Sequence, residues 1–482
     1  MRLDLIIIIV YTAAIILIGL KFSKAGNIKD YFLGGRTISW PIACFSIVAT
    51  ETSTLTFISI PGLAYITNLG FLQIAAGYLI GRVVVAQVLL PKYFSGGIET
   101  TYEYLQDRFS ISSRRIVAVI FHVTRLLADS IRLFATAIPL AMLLEKTVGF
   151  NDYRIAAILI GAATFIYTIY GGIRSVVVVD SIQLFLYLIC AVLGIGLISN
   201  MMGKPVYEII KMIPDEKLVL FSTGLGEGGG LLTSYNIFSG IIGGALLSFG
   251  SHGTDHLLVQ RVLSCKDLKS AKKAMVVSGI VVIFQFVLFL MLGIFIMVFL
   301  NNRVFSRPDE ILPYFIMNYL PHGFRGLMLA GIFAAAMSSL SSSINSLSSS
   351  TTIDIINIQD KNYSDKLKIK ISRMISLLWT VIIVIISTLL SDNKSPLVEL
   401  GLGIASLTYG GMIGIFLQAR YFEDFSEKAA ILGVILSIAG VIIVSKFFNI
   451  FWPWFVPIGL FISFFTGMVF DIVFKMKAKQ RF

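Results

Sequence analysis

The run Ala334-Ala335-Ala336-Met337-Ser338-Ser339-Leu340-Ser341-Ser342-Ser343 places a cluster of hydroxyls inside a stretch otherwise apolar enough to cross a membrane. An unsatisfied polar group in hydrocarbon costs roughly several kcal/mol, so these serines must face protein, water or an ion. Tight helix packing is one reading, because small residues let helices approach closely. A sodium site is the other. Sodium is a hard cation that takes hydroxyl and carbonyl oxygens, and Ser338, Ser339, Ser341 and Ser342 offer them on neighbouring faces of one turn.

A second polar interruption, Ala49-Thr50-Glu51-Thr52-Ser53-Thr54-Leu55-Thr56, falls inside another apolar stretch. Threonine, serine and a carboxylate in succession favour local side-chain bonding over a regular helix. A helix broken there exposes main-chain carbonyls that can coordinate a cation. A matching break is expected at Ser248-Phe249-Gly250-Ser251-His252-Gly253-Thr254-Asp255. Asp180 is a further carboxylate within an apolar span, functional by default, with pairing to a basic loop residue as its structural alternative. Arg125, Asp129 and Arg132 share one helix face at i, i+4 and i+7. They read either as an ion-pair ladder that neutralises itself or as a guanidinium fork for a carboxylate.

The elements that must position these groups follow from composition. The chain has 482 residues, 56% hydrophobic and 14% charged, with a mean hydropathy of +0.87. An all-α polytopic membrane protein is expected, with about thirteen spans of roughly twenty residues. They fall near 4-21, 40-65, 68-91, 114-144, 154-170, 175-200, 232-253, 272-300, 325-352, 370-390, 397-418, 428-446 and 451-474. The two interrupted spans each open a group of five, which points to inverted repeats with the binding site between the breaks near midplane. The whole chain, 1-482, is read as a single transmembrane transporter domain. It comprises an extra N-terminal helix at 4-21, a first repeat over 40-200, a second over 232-418, and two C-terminal helices over 428-474.

The net charge of +12 would suggest nucleic acid for a soluble protein. Here every second loop is basic. Lys24, Lys29 and Arg36 are followed by Lys92, Arg108, Arg114 and Arg115, then Arg174, then Arg261, Lys266, Lys269, Lys272 and Lys273. Lys361 to Arg373, Arg420, Lys428 and Lys475 to Arg481 complete the series. The positive-inside rule makes that side cytoplasmic, with the N-terminus outside and the C-terminus inside a bacterial plasma membrane. The lysines of the 201-231 loop are offset by Glu208, Asp215, Glu216 and Glu227. Met1-Arg2-Leu3-Asp4 lacks the basic region of a cleavable signal. Cys44, Cys190 and Cys265 have no pairing or ligand spacing, and the four histidines form no zinc motif. No phosphate-binding loop or HExxH helix is present, so neither ATP-driven pumping nor metal-dependent hydrolysis is expected. A lipid bilayer is the expected partner, no nucleic acid is, and the chain is expected to work as a monomer.

Four motifs together resemble the sodium/solute symporter family. They are Tyr31-Phe32-Leu33-Gly34-Gly35-Arg36, Gly171-Gly172-Ile173-Arg174 with Asp180-Ser181-Ile182-Gln183, Gly253-Thr254-Asp255-His256-Leu257-Leu258-Val259-Gln260-Arg261, and the Ala/Ser block with Asn345-Ser346. The resemblance covers nearly the whole chain and implies a leucine-transporter-like five-plus-five inverted repeat. It implies transport by alternating access, not enzymatic chemistry, with Na+ as the coupling ion. The first sodium site it implies falls on Ala49, Thr52, Ala335, Ser338 and Ser339. The second, similar to that of bacterial sialic acid symporters, falls on Asp180, Ser341 and Ser342 together with Ser338 and Ser339.

For the solute, the same resemblance places Arg125 on a carboxylate, helped by Ser53 and Thr56. Gln73 stands close to the family's glutamine but off register, which falls near Ala75 to Gly77. Glu51 is an additional carboxylate beside this pocket, open to pairing with Arg125, to a solute amine or to ion binding. Ser251 and His252, with Ser248, take the solute-facing places in the second broken span. A small carboxylate-bearing solute is expected, whether sialic acid, another organic acid or an amino-acid-like zwitterion. Sugar, polyol or vitamin symport and a transporter-like membrane sensor are the alternatives.

Overall fold

The computed structural model describes residues 2–22, 25–149, 152–224, 230, 232, 235–390 and 397–479. Lys24, Glu227 and Arg481, counted above for charge, lie outside the described residues. No strand occurs among the described residues; a single bridge pairs Ile38 with Cys265. The first elements are α1 (Arg2–Lys21), α2 (Trp40–Glu51), α3 (Thr54–Ile66), α4 (Leu72–Val88), α5 (Ile111–Val148) and α6 (Tyr153–Met202). Next come α7 (Gly244–Phe249), α8 (His256–Leu263), α9 (Leu268–Phe299) and α10 (Phe324–Ser350). The chain closes with α11 (Asp365–Leu389), α12 (Leu397–Tyr421), α13 (Glu427–Phe447) and α14 (Phe455–Lys479).

Ten described helices are long and apolar enough to cross a membrane, or up to eleven with the bent α2–α3 pair. Thirteen is reached only by counting α6 twice and adding the broken 239–254 segment. The two spans expected at 154-170 and 175-200 lie on either side of a kink within α6, whose 50 residues would reach roughly 75 Å if straight, against a hydrocarbon core of about 30 Å. The chain breaks direction at Gly172, with φ 54° and ψ −156°. A Cβ there would lie 2.3 Å from the Tyr31 carbonyl oxygen, so the turn needs glycine both for its conformation and for the approach.

Both expected breaks are present. α2 and α3 meet at a bend of 64°. Thr52, at φ −78° and ψ 83°, and the extended Ser53 interrupt the helical hydrogen bonds. The Thr52 hydroxyl settles 2.7 Å from both the Val48 carbonyl and Gln285 Oε1, holding the break against α9. The second break follows wide π-type turns over Ser239–Gly243 and Gly250–Thr254 and falls at Asp255, at φ −90° and ψ 118°. Asp255 caps α8 by accepting from the Leu257 amide at 2.9 Å.

α10 is the axis of the bundle. It packs along α6 and against α1, α5 and α11, and 94% of its most apolar window is buried, compared with 28% in α13. That contrast decides where the serines face. They look into protein, while α13 turns most of its surface outward.

Candidate functional site

Where the bend between α2 and α3 faces α5, α7, α8 and α12, a cavity of about 70 Å³ is left between them. Thr50, Glu51, Ser53 and Thr56 line it from the broken helix, and Arg125 and Arg132 from α5. Ser251 and Tyr409 contribute from the second break and α12, and Phe71, Tyr78 and Phe286 supply aromatic surface. The expected site between the two breaks is therefore a real cavity.

The charges around it are sorted differently from the sequence expectation. Arg125 does not pair with Asp129. Its Nε donates to Asp255 Oδ2 at 2.8 Å, and its Nη2 reaches both that oxygen and the Tyr409 hydroxyl, which itself donates to Asp255 at 2.7 Å. Tertiary packing supplies a carboxylate from the second break, and it wins over the neighbour one turn away. Arg125, with both of these nitrogens engaged, forms a linkage between α5, the second break and α12.

Arg132 is the arginine left with capacity. Its Nη1 donates to Asp129 at 2.6 Å, while its buried Nε has no hydrogen-bond partner among the described residues. Asp129 also accepts from Ser343, so this pair is braced on α10. Seven residues of helix set Arg132 roughly 10 Å along α5 from Arg125, away from the end that follows the basic 108–115 segment. Toward that end a further ionic layer joins Arg114 to Asp354 at 2.8 Å and to Glu103 at 3.0 Å.

Glu51 pairs with Arg82, a fully buried α4 residue whose Nη1 also donates to Ser278 at 2.7 Å. His252 is buried behind it, with Nε2 3.8 Å from Glu51 and Nδ1 2.8 Å from the Ser251 hydroxyl. His252 therefore backs the cavity through Glu51 and Ser251 instead of lining it. Gln73 also stands away from the lining: its amide donates to the Gly70 carbonyl at 3.2 Å, and its oxygen accepts from the Ser222 amide at 3.4 Å. The off-register placement of Gln73 leaves it among loop backbone.

The two candidate cation shells sit between α10 and the first break. In the first, the Ser339 hydroxyl lies 3.4 Å from the Thr50 carbonyl, bridging α10 to the end of α2. Ala49, Thr52 and Ala335 are all buried. The Ser338 hydroxyl turns the other way and donates to Asp180 Oδ1 at 2.9 Å. In the second, Asp180 Oδ2 accepts from Ser46 at 2.7 Å, Thr50 at 3.3 Å and Ser342 at 3.4 Å. The Ser341 hydroxyl bonds back to the Ser338 carbonyl at 3.0 Å and does not face the carboxylate. Arg261, assigned by sequence to a basic loop, is fully buried and pairs with Asp180 at 3.1 Å.

Sequence reasoning passed over Arg82, Tyr409 and Gln285, misplaced Arg261, and named Asp255 in the second break without its partner Arg125. Arg82 carried a usable signal, since it is a lone charge inside an apolar span. Tyr409 carried none, because aromatic residues are ordinary in such helices.

The chain matches the model of the sodium:solute symporter family over residues 31–437. The sodium/sialic acid symporter NanT of Aliivibrio fischeri is 28% identical over 91% of this chain and 87% of its own length. The human sodium-coupled monocarboxylate transporter 2 is 25% identical over 87% of this chain and 68% of its own. A solved structure of a Na+-coupled sialic acid symporter, substrate-bound and outward-open, superposes with a TM-score of 0.85 at 26% identity, covering 98% of each chain. The fold is thus the leucine-transporter-like one.

Proposed function

The chain belongs to the sodium:solute symporter family, a membrane transporter and not an enzyme, and from that premise we propose that its solute is a small carboxylate held in the cavity at the first break. The observation that carries this reading is the Arg132 guanidinium, which lines the cavity with a buried Nε that has no partner among the described residues. A planar guanidinium matches a carboxylate in two parallel hydrogen bonds. Ser53 and Thr56 line the same space and offer hydroxyls to the remaining polar atoms. Glu51, neutralised by Arg82, leaves the cavity without an uncompensated negative charge that would repel an anion. Arg125 is assigned to holding the cavity's floor.

Sodium is the coupling ion. We assign the first ion to Ser339 and the carbonyls of Ala49, Thr52 and Ala335, with Ser338 joining only if its hydroxyl rotates off Asp180. The Ser339 contact to the Thr50 carbonyl supports this, because an ion there would tie α10 to the broken helix. The second is assigned to Asp180 with Ser338 and Ser342, and Ser341 becomes a ligand only if its hydroxyl rotates off the Ser338 carbonyl. An ion shifts the balance of outward- and inward-facing states through its different affinity for the two. The Arg125–Asp255–Tyr409 and Arg114–Asp354–Glu103 layers lie between the cavity and the basic face, which suits access from the opposite face. With the basic loops cytoplasmic, the N-terminus is outside and solute moves inward across a bacterial plasma membrane. The repeats are placed at 40-200 and 232-418 within one domain working as a monomer, without nucleic acid.

The experiment is a thermal-shift screen of organic acids, sugars and amino acids, each with and without sodium. Ligands of the folded state raise its apparent stability. Hits restricted to uncharged sugars or polyols would remove the carboxylate reading and return Arg132 and Asp129 to a purely internal pair.

A further inference from the structure

Arg261 stands where a second sodium would sit. It arises on α8, directly after the second break, and its guanidinium is fully buried. Its Nε donates to the Ser46 hydroxyl at 2.9 Å, its Nη1 to the Leu257 carbonyl, and its Nη2 to Asp180 at 3.1 Å and to Ser342. Three of those partners, Asp180, Ser46 and Ser342, also make up the oxygen shell of the second cation position, and Ser46 and Ser342 donate to Asp180. One buried carboxylate therefore serves two cations, one tethered to the protein and one free.

We propose that Arg261 is a coupling-determining residue, an internal cation that competes with sodium for Asp180. This rests on the assignment of Asp180 to an ion shell. Two positive charges on one buried carboxylate would leave an uncompensated charge in a medium that screens it poorly. Sodium can reach Asp180 only as the guanidinium withdraws. Withdrawal breaks the links from α8 to Ser46 on α2, to Asp180 on α6 and to Ser342 on α10, while Gln260 and His256 keep their contacts to Asn345 and Ser349 on α10. Ion entry is thereby linked to a loosening of the segment that follows the second break against α2 and α6, and the Asp255 cap of α8 also carries the Arg125–Tyr409 floor of the cavity. The competition sets the half-saturating sodium concentration of the second shell.

The test uses the full-length protein, purified in detergent, with sodium titrated against choline at constant ionic strength and no solute present. Sodium-induced stabilisation gives the half-saturating concentration. Arg261→Gln is expected to lower it by roughly tenfold, within the usual range for coupled sites. In an Asp180→Asn background the same substitution should have no such effect, because the two changes act on one contact. Arg261→Lys keeps the competing charge and should stay near the native value. Should Arg261→Gln fail to fold, Arg261→Met, which removes the charge while keeping an unbranched side chain, should move the concentration in the same direction. An unchanged or higher half-saturating concentration in folded Arg261→Gln overturns the competition. If Asp180→Asn alone leaves the sodium titration unaltered, the ion assignment of Asp180 fails first and takes the competition with it. A shift in Asp180→Asn without one in Arg261→Gln removes only the competition.

Discussion

Exchanging the two cavity arginines for glutamine separates their roles. Arg132→Gln takes charge-assisted hydrogen bonds away from the solute, each worth about 1.5–3 kcal/mol. One lost contact of that size weakens solute binding by roughly ten- to 150-fold. Its cost in stability is smaller, because Asp129 keeps the Ser343 donor and the Arg132 side chain is 15% exposed. Arg125→Gln acts the other way. Asp255 is 1% exposed and would lose the cation that pairs with it, and breaking such a buried pair costs about 3–5 kcal/mol of stability. Tyr409 and the Leu257 amide remain as donors, so the loss should lie toward the lower end. The assay pairs apparent melting temperature with competition of a labelled carboxylic acid in proteoliposomes. The reasoning is refuted if Arg125→Gln loses solute affinity at unchanged stability while Arg132→Gln binds normally, which would return the carboxylate to Arg125.

Further outcomes follow from single contacts. Ser339→Ala removes a hydroxyl facing the Thr50 carbonyl and should raise half-saturating sodium by roughly tenfold, the size of one charge-assisted contact, with concentrative uptake lost. Asp180→Asn should lower the sodium Hill coefficient of uptake toward one, because the carboxylate is the only acidic group in its shell. Gly293→Ala places a Cβ 2.0 Å from the Pro61 carbonyl oxygen, so α3 and α9 must separate; a loss of about 1–3 kcal/mol in detergent stability is expected. Glu51→Gln should destabilise more than Glu51→Gln combined with Arg82→Met, since the single change leaves a buried guanidinium unpaired.

Sequence was most informative where polarity and hydrophobicity conflict. A serine run in an apolar helix has few tolerable surroundings, so the burial of Ser338 to Ser343 was legible, as were both breaks. Pairings were not legible. Helical spacing offered Asp129 to Arg125, but Asp255 lies 130 residues away in sequence and only the fold brings it there. Glu51 presented itself as an open carboxylate because nothing local reveals that Arg82 arrives from α4. Arg261 looked like one more basic loop residue, since α8 is short and strongly amphipathic and its burial depends on the second break folding back against α2 and α10. Gln73 and His252 failed as lining residues for a related reason: one or two residues of register decide whether a side chain faces the cavity or the wall behind it. The double glycine at Gly171-Gly172 was legible as the end of one span and the start of the next, and the chain does turn there at Gly172.

Uptake of a labelled carboxylic acid into proteoliposomes under an imposed inward sodium gradient tests the central claim most directly. The account predicts accumulation above the external concentration, collapse of that accumulation when a sodium ionophore dissipates the gradient, and no competition from the matching carboxamide. Equal accumulation without sodium, or competition by the carboxamide as strong as by the acid, would contradict it.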